Sequence, residues 1–194
     1  MALISAKTII TSLSLFHVTL AFFFLTNPAT IADQALVFIL GESMGMPHAR
    51  SFENKSPALA FLAAVLGMMG ISDLATLSMP EEVWLIHHWA TQAPVRLFVS
   101  ISFVLYTFLF GPSSPFYGSP NRGGRLAHPS AHVNNPRYTP STWGGDGLKN
   151  RVFLTFAFLE MLSWFWVWMT LREEREQFAR SRNNKRRPSQ SNDY

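Results

Sequence analysis

The sequence contains no cysteine. That absence excludes disulfide bonds and cysteine-based metal or redox chemistry. Charged residues are also scarce, at 14% of the chain, against about 25% in a typical soluble domain. A soluble protein needs more charge than this to cover its surface, whereas hydrophobic residues make up 48% of the chain and include 17 phenylalanines. The composition therefore indicates a membrane protein.

Four long apolar segments dominate the sequence, at residues 8–26, 57–79, 94–111 and 152–171. Each has about the length, roughly 17–25 predominantly apolar residues, that a helix needs to cross the hydrocarbon core of a bilayer. Asn27 and Pro28 end the first segment, and Pro57 begins the second at a position where helices accept proline. The sequence therefore predicts an all-α fold, a four-helix transmembrane bundle with short interfacial helices, formed by residues 1–175.

The connections between these segments differ in character. Residues 29–56 include about a dozen residues of helical pattern, too few to cross a membrane, which predicts an interfacial or packed helix. Residues 80–93 begin with proline and two acids and carry Trp84 and Trp89, which predicts a helix at the level of the lipid headgroups. Residues 112–150 are rich in proline and glycine, so we expect a long loop there.

The C-terminal end is charged and basic. The residues that follow the fourth segment can prolong its helix beyond the membrane, and the basic tail, residues 176–194, is expected to be disordered. Four spans place both chain ends on one side of the membrane. That side would carry nine of the 16 lysines and arginines and the other side seven, and cytoplasmic loops usually carry the excess. We therefore expect both termini in the cytosol.

The start of the chain is expected to be an uncleaved membrane anchor. Its first apolar run is 19 residues long, which exceeds the roughly 7–15 residues of a signal-peptide core.

Three ionisable residues, His17, Asp73 and Glu160, lie inside the apolar segments. An aspartate at a helix centre costs about 2.5–3.5 kcal/mol to insert, so such groups should find partners in the bundle interior. His17 and Glu160 both lie near the middle of their segments, where a hydrogen bond between them would lower the cost of both. Asp73 lies closer to the interface on the side of the termini.

Trp164 follows Glu160 by one helical turn and shares its face. Its ring can pack or can offer a surface to a ligand. We therefore predict that His17, Asp73, Glu160 and Trp164 form a polar core that fixes helix packing, or a site for a ligand or an ion. Small residues in the second segment, among them Gly70, allow a close helix approach beside Asp73.

Other chemical signals are weak. His87 and His88 are adjacent, so their side chains point about 100° apart on a helix, and Pro129 lies between His128 and His132. Neither pair suggests a zinc site. The sequence has no Ser-His-Asp arrangement, no phosphate-binding glycine loop and no nucleic-acid-binding module. We accordingly expect no catalytic residue, no metal, no cofactor, no direct contact with nucleic acid and no soluble small-molecule substrate.

Three stretches carry a family resemblance: "MALISAKTIITSLSLFHVTLAFFFLTNPATIADQALVFILGESMGMP", "SDLATLSMPEEVWLIHHWATQAPVRLF" and "LKNRVFLTFAFLEMLSWFWVW". They resemble the fungal family named for increased loss of mitochondrial DNA. The resemblance implies a small multi-pass protein of the endoplasmic-reticulum membrane, with genetic links to mitochondrial DNA maintenance and to peroxisome growth. It implies no catalytic residue.

Three functions are compatible with these observations. The first is a structural or adaptor membrane protein that supports lipid or organelle homeostasis and acts on mitochondrial DNA indirectly. The second is a lipid- or sterol-handling bundle of the sterol-isomerase type. The third is an ion or proton pathway through His17, Asp73 and Glu160. The expected partners are membrane lipids and other membrane proteins.

Overall fold

The computed structural model describes residues 4–110 and 144–190 of the chain. Within these two ranges the regular structure is helical and contains no strand. The helices in chain order are α1, Ala6–Thr26; α2, Ala29–Ala32; α3, Ala35–Ser43; α4, Pro57–Thr76; α5, Trp89–Phe110; and α6, Arg151–Gln190. A π-helical segment, Val83–His88, leads directly into α5, and short 3₁₀ turns occur at Arg50–Phe52 and Gly144–Leu148.

Four helices are long and apolar enough to cross a membrane: α1, α4, the continuous helix Val83–Phe110 and α6. The predicted fold class, a four-helix transmembrane bundle with short interfacial helices, is therefore confirmed. Side-chain caps explain where two of them begin. The hydroxyl of Ser5 accepts a hydrogen bond from the backbone N–H of Thr8, and the hydroxyl of Ser56 accepts one from the backbone N–H of Leu59.

The third spanning helix begins before residue 94, where the sequence analysis placed its start. Residues 83–88 lead directly into α5, so this segment and the third span form one continuous helix. Trp84 and Trp89 are buried in an apolar cluster with residues of α1 and α6. Pro94 consequently lies inside the helix, an irregularity that spanning helices tolerate where neighbouring groups compensate for the lost backbone hydrogen bond.

Helix α6 extends far beyond its apolar part. It continues to Gln190, so the predicted basic tail, residues 176–194, begins within this helix. The apolar half of α6 has already nucleated the helix, and each added residue then costs little. A spacing of four residues also places Glu176 beside Arg180, with 3.8 Å between the charged atoms. The predicted loop, residues 112–150, lies mostly outside the described residues.

The bundle is built from two closely packed pairs of helices, α1 with α4 and α5 with α6, and α1 also contacts α6. Its outer surface is apolar, with large side chains such as Phe61, Met68 and Phe98 about 70% exposed, as expected for a surface that faces lipid. The polar extension of α6 returns to the start of the chain, where the Glu174 carboxylate accepts a hydrogen bond of 2.8 Å from the backbone N–H of Ala6. This contact caps the N-terminus of α1.

The contact between α1 and α4 is close because α4 presents small residues to α1. A Cβ atom built on Gly70 would lie 2.7 Å from the backbone oxygen of Ser14, whereas one built on Gly67 would lie 3.5 Å from the Cβ of Ala21. The first distance is a steric clash with the backbone, and the second is an ordinary contact. Gly70 therefore sets the spacing of the two helices.

At the opposite end of the bundle, Arg151 holds α3 against the start of α6. Its Nε donates to the backbone oxygen of Met46 and its guanidinium donates to the carboxylate of Glu42, each over 2.7 Å. The guanidinium also lies over the ring of Phe38. The arginine stem fills the space beside Gly41, where no larger residue would fit.

Replacing Arg151 with alanine is expected to loosen α3, because hydrogen bonds to a charged group contribute about 1.5–3 kcal/mol. Protease cleavage within residues 43–56 of the purified protein should accelerate. The control is Arg50→Ala, which removes an exposed arginine of the same segment and should leave the cleavage rate unchanged. Equal cleavage of the two variants would contradict the role assigned to Arg151.

Candidate functional site

His17 and Glu160 meet in the middle of the bundle. The His17 ring is fully buried on α1, and its Nε2 lies 2.6 Å from Oε1 of Glu160 on α6. The other carboxylate oxygen of Glu160 accepts a hydrogen bond of 2.6 Å from the indole N–H of Trp164, one turn further along the same helix. The structure thus brings together three of the four residues singled out in the sequence.

The tautomer of His17 follows from its partners. Its Nδ1 is buried and has no hydrogen-bond partner within the described part of the chain. A buried N–H without an acceptor is costly and rare, whereas a bare acceptor nitrogen costs less. Nε2 is therefore assigned as the ring nitrogen that donates a hydrogen bond to Glu160.

Asp73 has a different partner, which the sequence analysis did not identify. The guanidinium of Arg96 on α5 donates two hydrogen bonds, of 2.6 and 2.8 Å, to the two carboxylate oxygens of Asp73 on α4. This two-point geometry is the strongest that a carboxylate and an arginine form. Arg96 lies near the start of the predicted third span, residues 94–111. Its charge, opposite to that of Asp73 in the preceding span, was the sequence feature that could have identified the pair.

Two stacked tryptophans join the pairs. The rings of Trp89 and Trp164 stack with centroids 5.5 Å apart, and the Arg96 guanidinium lies 5.2 and 4.8 Å from their centroids. Such a cation beside an aromatic face is favourable where water is excluded. All four spanning helices thus contribute to one group of side chains, which we call the polar network: His17, Asp73, Trp89, Arg96, Glu160 and Trp164.

The carboxylates of the polar network are paired, and the network is closely packed. Five of its members are buried, with at most 8% of the residue surface exposed, and Arg96 retains 24% of its side-chain surface. Two members, Trp89 and Trp164, belong to the apolar cluster that extends towards the chain termini, and a second apolar cluster lies towards α2 and α3. In the described ranges no three histidine, aspartate or glutamate side chains lie close enough to hold a metal ion; His128 and His132 fall outside those ranges.

Glu160→Gln should reduce stability only modestly, by about 1–3 kcal/mol. The glutamine oxygen can still accept from Trp164, and its amide can donate to His17 if the imidazole proton moves to Nδ1, where it has no acceptor. Glu160→Leu removes both bonds and should cost more. Thermal unfolding of the two purified variants checks this order, which a ligand-binding role for Glu160 would not require.

A separate apolar cavity of about 570 Å³ lies beside the network, on the side away from the chain termini. We call it the apolar cavity. It is bordered by α1, by the short helices α2 and α3, by Phe52, by α4 and by the first half of α6, and most of its lining is aliphatic or aromatic. No charged residue of the described ranges lines it. His17, Asp73, Glu160 and Trp164 are also absent from its wall.

A comparison with protein families gives one match. The model of the family described as "Increased loss of mitochondrial DNA protein 1" matches residues 4–181, which include the first three spanning helices, the apolar part of α6 and the whole polar network. No curated protein and no solved structure matches the chain.

Proposed function

Because the chain belongs to the family described as increased loss of mitochondrial DNA protein 1, we propose that it is a structural or adaptor protein of the endoplasmic-reticulum membrane. In this proposal it supports lipid or organelle homeostasis, and mitochondrial DNA is lost indirectly when it fails. The polar network acts within the protein: it fixes how four helices pack and exposes no reactive group.

The observation that carries the proposal is the pairing within the network. Asp73 is neutralised by Arg96, and both oxygens of Glu160 are occupied by donors from His17 and Trp164. A catalytic acid or an ion ligand needs a free position for its substrate or ion, whereas a group that fixes packing needs its partners to be protein groups. The observed partners are protein groups.

The alternatives receive less support from the same geometry. Chemistry of the sterol-isomerase type requires acids beside the bound lipid, but the network residues do not line the apolar cavity. An ion pathway requires charged groups along a continuous polar route, but Trp89 and Trp164 of the network are buried in an apolar cluster, and a second apolar cluster lies towards α2 and α3. Direct binding to DNA is not supported either, since the sequence contains no nucleic-acid-binding module.

The adaptor part of the proposal is supported by the length of α6. The helix continues for 19 residues beyond Leu171, which corresponds to about 28 Å at 1.5 Å per residue. A charged helix of this length, held to the bundle by Glu174, would offer a binding surface to a partner protein. The distribution of basic residues supports a cytosolic location for the termini and for this helix.

The proposal is tested in cells that lack the protein, with Asp73→Asn and Glu160→Gln variants and with Glu81→Gln, which changes an exposed glutamate, as the matched control. We expect the first two to lower the amount of protein and to impair growth and mitochondrial DNA retention in proportion. Raising expression until the protein level is normal should restore both. A defect that persists at normal protein level would overturn the structural role and indicate a reactive or ligand-binding site.

Location is tested separately in the same cells. A tag at either terminus should be removed by protease added to intact microsomes, and the protein should remain in the membrane after alkaline carbonate washing. A protected terminus would contradict the proposed orientation.

A further inference from the structure

We propose that the apolar cavity binds one hydrocarbon chain of a bilayer lipid. The cavity follows α1 from Phe16 to Phe24 and α6 from Val152 to Leu159. Both stretches belong to the membrane-spanning helices, and they lie in the half of the membrane away from the chain termini. At this depth the protein is surrounded by lipid and not by water, so lipid molecules are the available occupants of the cavity.

The lining selects against water. Four polar residues face the cavity: Thr19, Thr30, Gln34 and Thr155. The hydroxyls of Thr19 and Thr155 donate to backbone oxygens of their own helices, at Leu15 and Arg151, and the Gln34 amide donates one hydrogen bond to the backbone oxygen of Thr30. A buried water needs two to four polar partners, and the two threonine hydroxyls have already used their single donors. The remaining lining is aliphatic and aromatic.

The size and openings of the cavity fit a chain. Its volume of about 570 Å³ lies within the range of known ligand pockets, about 300–1,000 Å³. An empty cavity of this size would forfeit the dispersion contacts of its walls. Leu36 and Leu62 line it and are also exposed on the surface, by 46% and 36%, so the cavity opens sideways to lipid.

The two ends of the cavity differ in polarity. Gln34 and Thr30, at the level of the short helices, form the polar end, where a lipid headgroup or hydroxyl would remain in the interface. The deep end is formed by Phe16 and Phe156, whose rings lie 6.1 Å from the His17 ring, measured between centroids. The stretch from Phe16 to Phe24 is about 12 Å long, so a chain entering at Gln34 would end against the two rings that cover His17.

Photo-crosslinking tests this proposal on the full-length protein in lipid nanodiscs. One arm uses a phosphatidylcholine with a diazirine in one acyl chain, and the other uses a sterol with a diazirine in its tail. Mass spectrometry maps the labelled residues. We expect labelling concentrated on the cavity lining, above all Leu20, Phe52 and Leu66, in at least one arm, and the labelled arm identifies which lipid supplies the chain.

A filled cavity provides the matched comparison. Leu20→Trp places a large ring in the cavity and should reduce labelling of its other walls to the level of the outer surface. Leu15→Trp makes the same change on the same helix at a lipid-facing position that is 52% exposed, and should leave cavity labelling intact. If Leu20→Trp does not fold, the labelling pattern of the unmodified protein decides alone. Labelling spread evenly around the bundle in both arms, or unaffected by a folded Leu20→Trp, would overturn the proposal.

Discussion

Asp73→Ala is expected to destabilise the bundle by about 3–5 kcal/mol, the usual cost of removing one partner from a buried ion pair. The change leaves the guanidinium of Arg96 inside the membrane-spanning region without the carboxylate that now accepts two of its hydrogen bonds. Unfolding of the purified protein in detergent can be followed by tryptophan fluorescence, because Trp89 and Trp164 contact Arg96 directly.

The informative comparison is the double variant Asp73→Ala with Arg96→Met. It removes both charges and keeps an apolar side chain of similar length beside the tryptophans, so much of the lost stability should return. Asp33→Ala, at an exposed position, serves as the control and should have little effect. If the double variant is as unstable as the sum of its two single variants, the two residues are not coupled and the pairing is wrong.

Gly70→Ala and Gly67→Ala are expected to change stability in opposite directions. A methyl group on Gly70 would meet the backbone of α1 at Ser14, and neither backbone can move without separating the helices, so we expect a loss of about 1–3 kcal/mol. A methyl group on Gly67 fits without a clash and removes a flexible glycine from a helix, which should gain about 0.5–1 kcal/mol.

The same denaturation assay measures both glycine variants, which differ only in position. Gly70→Ala should also disturb the network, because the new methyl group would lie 3.2 Å from the Cβ of His17. A His17→Gly background, which lacks this Cβ, should therefore reduce that part of the effect of Gly70→Ala. Equal effects of the two alanines would contradict the idea that Gly70 alone sets the spacing between α1 and α4.

The sequence was sufficient to predict the features that depend on the length of an apolar segment or on the depth of a residue within it. The four spans follow from apolar runs, and the meeting of His17 with Glu160 follows from their similar depth in two spans. The partner of Asp73 could not be predicted in this way. Hydropathy places Arg96 at the edge of a span that starts at residue 94, whereas the helix begins eleven residues earlier, at Val83. Trp84 and Trp89 pack into the bundle, and the helix therefore includes the residues before position 94. A local sequence pattern does not predict such contacts between distant segments.

The apolar cavity could not be predicted from the sequence either. It exists because α2 and α3 lie across one end of α1 and α6 without filling the space between them. Apolar patterns can predict that these short helices pack, but they do not give the remaining volume. That volume depends on the relative positions of five helices, α1, α2, α3, α4 and α6.

The cap that Glu174 provides for α1 has a consequence for how the protein is made. Helix α1 obtains a second cap, besides that of Ser5, and the partner of His17 from α6, and Glu160 is synthesised 143 residues after His17. At typical elongation rates this interval lasts roughly 7–30 s. During biogenesis α1 therefore remains in the membrane without these partners until α6 is made, and the insertion of α6 closes the bundle.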